Sequence, residues 1–148
     1  TLQVIVDTKV KQVLLKEFRE LNFGIYEGDS GDGFWKRKAE AYNFDLNAMS
    51  LVDRYQYVYH PIDNPKGEKL QDFKTRLYSG LLKIVKEATL HQHKNILLVG
   101  HGLAIRSLIE MLDPNHDSDI VPNASVTKIS FDGEKFALDY VGRIKDID

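Results

Sequence analysis

The segment Asn95–Leu112, NILLVGHGLAIRSLIEML, constrains the fold more than any other stretch of the chain. Ile96 to Val99 form an unbroken apolar run, the pattern of a strand buried on both faces of a parallel sheet. From Leu103 onward the apolar positions Leu103, Ile105, Leu108, Ile109 and Leu112 fall mainly at helical spacing, with Arg106 and Glu110 between them. Gly100-His101-Gly102 therefore reads as the turn at the carboxyl end of a parallel strand, opening into a helix. Open α/β sheets place their ligands at such turns. Free N–H groups and the positive end of the helix dipole favour anions there. A parallel strand also needs a neighbour, and no other segment of the sequence reads as a central strand.

Position alone leaves two readings of His101 open: a ring that packs or bonds a carbonyl within the turn, or a titratable group in an anion site. A nucleotide-binding glycine loop would need a third glycine, which is absent after Gly100 and Gly102. A hydrolase nucleophile elbow would need serine where His101 stands. Composition narrows the setting. At 148 residues the chain is long enough to bury roughly 68–70% of the surface its unfolded form exposes. Its 43% hydrophobic and 28% charged residues are those of an ordinary globular α/β domain, expected to span 1–148 as one unit. A net charge of −2 without a Lys/Arg stripe argues against a nucleic-acid partner. The absence of cysteine excludes disulfides and thiolate chemistry, and fits a reducing compartment; a cytoplasmic location is expected. No apolar run approaches the ~20 residues of a membrane span, so no membrane partner is expected.

Elsewhere, Leu2 to Val6 reads as a strand or a last helical turn, and Gln12 to Phe18 as a better strand candidate. GIYEGDSGDGF carries four glycines in eleven residues and reads as loop. Phe34 to Tyr42 and Asn47 to Tyr59 are aromatic-rich and weakly helical, with Trp35, Tyr42, Phe44, Tyr55 and Tyr57 expected to pack a lid or side wall. HPIDNPKGE is a turn-rich connection. Leu70, Phe73, Leu77, Leu81, Ile84, Val85 and Ala88 hold helical spacing over several turns and predict the longest helix. DPNHDSDIVPN reads as loop, and Val126 to Phe131 with Lys135 to Val141 as a hairpin around Asp132-Gly133.

The stretch LKEFRELNFGIYEG places Glu20 and Glu27 around Phe23-Gly24. A glutamate beside Phe18, Leu21 and Phe23 could be desolvated enough to serve as a general acid; alternatively Glu17 and Glu20 pair with Lys16 or Arg19 on a solvated face. Taken in order, FRELNFGIYEG, GEKLQDFKTRL, ILLVGHGLAIRSLIEML and NASVTKISFDGEKFAL resemble the histidine phosphatase superfamily, the phosphoglycerate-mutase-like proteins, over nearly the whole chain. The resemblance implies a three-layer α/β sandwich with a mostly parallel sheet. It gives Glu20 the role of general acid and His101 that of second catalytic histidine. Gly102 and Ala124, the latter within Asn123–Thr127, would contribute backbone N–H groups to the phosphate pocket. The implied substrate is a small phosphorylated molecule, with no metal and no cofactor required.

The family's nucleophile is a histidine in an Arg-His-Gly turn ending the first strand, and no such tripeptide occurs in this sequence. His60, His91, His93 and His116 match no such turn. Both the sheet argument and the resemblance therefore lead to the expectation that the central strand, the nucleophile and half the phosphate clamp precede Thr1. A chain beginning there would be inactive alone and prone to self-association through open sheet edges, as a homo-oligomer. The family's mutases carry Glu-Arg-His-Tyr-Gly at the acid motif, whereas Leu21 and Asn22 follow Glu20 here, and Arg37 only loosely echoes their paired arginine. The expected activity is thus phosphomonoester hydrolysis. The alternatives are a mutase, or a non-catalytic module that keeps the anion pocket and binds a phosphorylated ligand or partner protein, with the aromatic segment Trp35 to Tyr59 as its contact surface. Smaller expectations concern Arg76, pairing with Asp72; Arg106, structural; Glu68, capping the long helix; and His91-x-His93, whose metal-like spacing lacks a nearby carboxylate.

Overall fold

The computed structural model describes residues 11–116 and 121–145. The Leu2 to Val6 segment and positions 117–120 of the loop predicted after the last helix lie outside them. Helix α1 (Gly31–Tyr42) begins inside the glycine-rich stretch read as loop. The Phe34 N–H donates to Ser30 O at 3.0 Å, so the first turn closes despite Gly31 and Gly33. After α1 come the short α2 (Leu51–Arg54) and a 3₁₀ turn at Tyr55–Tyr57.

Helix α3 (Leu70–His91) is the longest, as its periodicity predicts, and buries Phe73, Leu77 and Leu81. It stops where Gln92 enters the left-handed region (φ 55°) and the His93 N–H reaches back to Ala88 O at 2.9 Å. Helix α4 (Gly102–Leu112) buries Ala104, Leu108 and Ile109. Lys74 of α3 and Glu110 of α4 form an ion pair at 2.8 Å across the junction. Strands β1 (Val126–Phe131) and β2 (Phe136–Arg143) pair antiparallel, with Ile129 opposite Leu138 and Phe131 opposite Phe136. Asp132 closes their turn by accepting from the N–H groups of Glu134 and Lys135 at 2.8 and 2.9 Å.

The core joins Phe18, Leu21, Phe34, Val52, Tyr55 and Val58 to the buried faces of α3 and α4. Its aromatic part is built edge to face: Phe34 meets Phe23 at 5.2 Å and Trp35 at 4.7 Å, while Trp35 stacks on Tyr55 at 6.1 Å. Of the residues expected to pack a lid or side wall, Trp35 and Tyr55 join this core, whereas Tyr42, Phe44 and Tyr57 pack with one another. Phe44 stacks on Tyr57 at 4.4 Å, and Tyr57 in turn meets Tyr42 at 5.4 Å.

Two expected strands differ. Gln12 to Phe18 is not a strand but a coil ending in a 3₁₀ turn at Lys16–Phe18. The carbonyls of Glu17 and Arg19, which a ladder would use, instead accept from Arg76, and Phe18 buries itself against α3. Ile96 to Val99 runs up to α4 without a ladder, and Ile96, Leu97 and Leu98 are 48, 57 and 37% exposed rather than buried. Burial of a central strand comes from strands on either side of it, and among the described residues none pairs with this one. Hydrogen-bonded sheet among the described residues is confined to the β1–β2 hairpin.

Candidate active site

The acid stretch and the helix after the His101 turn meet at the amino end of α4, through bonds that span 83 and 84 residues of sequence. Glu20 Oε2 accepts from the Leu103 N–H and Oε1 from the Ala104 N–H, both at 3.1 Å. Oε1 also accepts from the Leu21 N–H at 3.1 Å. The Leu103 and Ala104 amides belong to the first turn of α4 and have no partner within the helix, and a carboxylate there is also favoured by the helix dipole. Glu20 therefore bonds backbone amides rather than pairing with Lys16 or Arg19 on a solvated face. It is half-buried, and the amides its carboxylate bonds lie two and three residues along the chain from His101.

His101 is the N-cap residue of α4, with extended backbone (φ −115°, ψ 161°), and its carbonyl accepts from the Ile105 N–H at 3.0 Å. Its ring is exposed to solvent. Gly102 follows as the first helical residue, with open space where a side chain would stand. Open space at Gly102 thus adjoins the helix end that Glu20 caps. Ala124 lies before the hairpin with left-handed backbone (φ 57°). Next to it, Ser125 Oγ donates to Pro122 O at 2.7 Å.

A cleft of about 470 Å³ opens beside Glu20, walled by Arg19, Phe23, Glu27, Phe34 and Trp35. His101 is not among its lining residues. The loop forming this wall is held from beneath by Asn64, a fully buried residue the sequence reading passed over. Asn64 Nδ2 donates to Phe23 O and Val58 O at 2.9 and 2.8 Å, and Oδ1 accepts from the Ile25 N–H at 3.1 Å. Gly24 is required at the contact. Its φ is +64°, and a Cβ would stand 2.5 Å from the Gly67 backbone nitrogen. The signal was present in HPIDNPKG, where an asparagine sits inside a turn-rich stretch, but its partners are about 40 residues away.

Glu68 and Arg76 also differ from expectation. Arg76 does not pair with Asp72, and Glu68 does not cap α3, whose N-cap Lys69 makes no side-chain cap bond. The two pair with each other bidentately, Nε to Oε1 at 2.6 Å and Nη2 to Oε2 at 2.8 Å. Burial by itself raises the Glu68 pKa. The Arg76 hydrogen bonds and the Asn22 N–H outweigh it and hold the carboxyl below its ordinary value. A second unanticipated feature is Lys38, almost fully buried. It pairs with Asp63 and lies 4.9 Å from the Tyr26 ring centroid and 5.4 Å from that of Tyr42. The hydrogen bond from Lys38 holds Asp63 below the usual carboxylate range, and the bond that Tyr26 donates to Asp63 pushes the phenol up. His91 sits beside Glu87 at 3.6 Å and touches the His93 ring. Among the described residues no cluster of three or more His, Asp or Glu is placed to hold a metal ion.

Residues 1–143 match the model of the histidine phosphatase superfamily (branch 1). The chain belongs to the histidine phosphatase superfamily. Its relatives include a protein of Hydrogenobacter thermophilus provisionally named phosphoserine phosphatase 2, 30% identical over 89% of this chain and 60% of its own length. The uncharacterized phosphatase PhoE of Bacillus subtilis is 34% identical over 69% of this chain and 49% of its own length. Among solved structures, a phosphoglycerate mutase from Bacillus anthracis str. Sterne superposes with a TM-score of 0.81 at 35% identity. The superposition covers 91% of this chain and 61% of that one. The chain therefore spans about half to three-fifths of the length of these relatives. The α/β phosphoglycerate-mutase-like fold is the one the sequence predicts. No described helix is long and apolar enough to cross a membrane.

Proposed function

We propose that this chain is the acid and anion-binding part of one histidine-phosphatase domain that hydrolyses small phosphomonoesters. The observation that carries this reading is the Glu20 carboxylate bonded to the Leu103 and Ala104 amides, directly after Gly100-His101-Gly102. On this reading a proton-transfer group, Glu20, and a phosphoryl-binding imidazole, His101, share one helix end, where negative charge is stabilised. In the proposed reaction a histidine nitrogen attacks phosphorus while the bond to the alcohol oxygen breaks, and Glu20 gives that oxygen its proton. The Glu20 carboxylate then takes a proton from water as the water oxygen attacks phosphorus. The phosphorus–nitrogen bond breaks, releasing inorganic phosphate and the free histidine. His101, Gly102 and Ala124 hold phosphoryl oxygens, and no metal or cofactor takes part.

The nucleophile in this scheme is a histidine of an Arg-His-Gly turn, a tripeptide these 148 residues do not contain. Hydrolysis is favoured over mutase chemistry by the residues after Glu20. Leu21 is buried and Asn22 turns its Oδ1 onto the Gly24 N–H at 2.8 Å, so neither offers a cation to a substrate carboxylate. The mutase likeness of the solved structure is the observation for the second reading. Two measurements test the proposal. Inorganic phosphate titrated into ¹⁵N-labelled chain is expected to shift the amides of Gly102 and Leu103, and His101→Ala to abolish the effect; an unperturbed α4 terminus rejects the site. Turnover of p-nitrophenyl phosphate is expected to be absent. Turnover that disappears with His101→Ala would place the nucleophile among the residues present and overturn that part of the scheme.

A further inference from the structure

The Glu20 carboxylate can meet α4 only if the backbone carrying it is held in place. That backbone is irregular, and nothing in a ladder or helix fixes it. The Arg76 guanidinium does. Its Nη1 donates to Glu17 O at 2.7 Å and Arg19 O at 2.8 Å, and its Nη2 to Glu20 O at 3.0 Å. With the two bonds to Glu68, every one of the five N–H donors an arginine possesses is engaged. Glu68 completes the clamp on the far side: its Oε2 accepts from the Asn22 N–H at 3.2 Å, and its own N–H donates to Asn22 O at 2.9 Å. Residues 17, 19, 20 and 22 are thereby tied to the start of α3 from both ends of the acid motif. Both side chains are mostly buried, and neither lines the cleft.

We infer that Arg76, oriented by Glu68, is a positioning residue that sets where the Glu20 carboxylate stands at the amino end of α4. It does not touch the phosphoryl group. A lysine cannot replace it, because one ammonium with three donors cannot reach three carbonyls and a carboxylate in a planar fork. This inference rests on reading Glu20 as the proton-transfer group, but its test follows Glu20's placement and not turnover.

The experiment is residue-resolved amide hydrogen exchange on the whole 148-residue chain: wild type, Arg76→Lys, Arg76→Met, Glu20→Ala and the Arg76→Met/Glu20→Ala double variant. The expected result is exchange at Leu103 and Ala104 faster by about tenfold in both Arg76 variants, with Ser107 and Leu108 in the same helix little changed. In the Glu20→Ala background the Arg76 change should add nothing at Leu103 and Ala104, since the carboxylate it positions is gone. Uniform acceleration throughout α3 and α4 would mark Arg76 as a general stabiliser and overturn the inference. So would unaltered exchange at Leu103 and Ala104, recovery with lysine, or additive effects in the double variant. Failure of the phosphate titration in the preceding section would remove the functional reading while leaving this exchange pattern as it stands.

Discussion

Replacing Asn64 by alanine tests how the acid loop is supported. Asn64 is fully buried, and its side chain serves three backbone groups: Phe23 O, Val58 O and Ile25 N. Alanine leaves all three without that partner. The Val58 bond is buried, and orphaning a buried acceptor costs about 1–3 kcal/mol. The Phe23 and Ile25 groups lie nearer solvent, so roughly 0.5 kcal/mol each is the appropriate loss after water replaces the amide. The sum is about 3 kcal/mol, which for a chain of this length lowers Tm by roughly 6–12 °C. Urea unfolding followed by tryptophan fluorescence measures it directly, since the single tryptophan, Trp35, packs on Phe23. Asn64→Asp sharpens the test. It keeps the shape but turns a second oxygen toward two carbonyls, so at neutral pH it should destabilise at least as much. Protonation restores a donor, so its deficit should shrink as pH falls through the raised pKa of the new acid. A loss under about 1 kcal/mol for alanine, or an aspartate variant indifferent to pH, would refute the claim that these bonds hold the loop.

Gly80 faces Phe18, and an added Cβ would lie 2.7 Å from that ring, so Gly80→Ala should destabilise by about 1–3 kcal/mol in the same unfolding assay. Asp63→Asn should cost more than Lys38→Met, by about 1 kcal/mol or more in urea midpoint analysis. It leaves a buried ammonium without its anion, whereas Asp63 is exposed enough for water to solvate it. The Glu68 carboxyl is held below its ordinary value, so its contribution is complete above the unfolded glutamate pKa of about 4.3 and is lost as pH falls through the lower folded value. Acid unfolding curves of wild type and Glu68→Gln should therefore differ most at neutral pH and converge in acid. Parallel curves across the whole range would contradict that account. Glu20→Ala removes the cap of α4 and should lower stability by about 1 kcal/mol, read from the same midpoints.

Local pattern alone determined the helices with a regular apolar stripe and the hairpin. Leu70 through Ala88 carries its own period, and Asp132-Gly133 supplies its own turn chemistry, so neither needs distant partners to be recognised. The order of motifs around Glu20 and His101 likewise points to the superfamily without any knowledge of tertiary contacts. What the tertiary structure decided depends on groups far apart in sequence. Ile96 to Val99 has the composition of a buried strand, yet burial is a property of its neighbours, and among the described residues no strand pairs with it. Gln12 to Phe18 has strand-forming residues, but Arg76 takes the carbonyls of Glu17 and Arg19 from a helix nearly 60 residues away. The Arg76–Asp72 pair expected from helical spacing loses to Glu68, because only there can the guanidinium also reach the acid loop. Asn64 and Lys38 follow the same rule: a polar residue is buried when distant backbone or charge satisfies it, and sequence spacing carries no record of that partner.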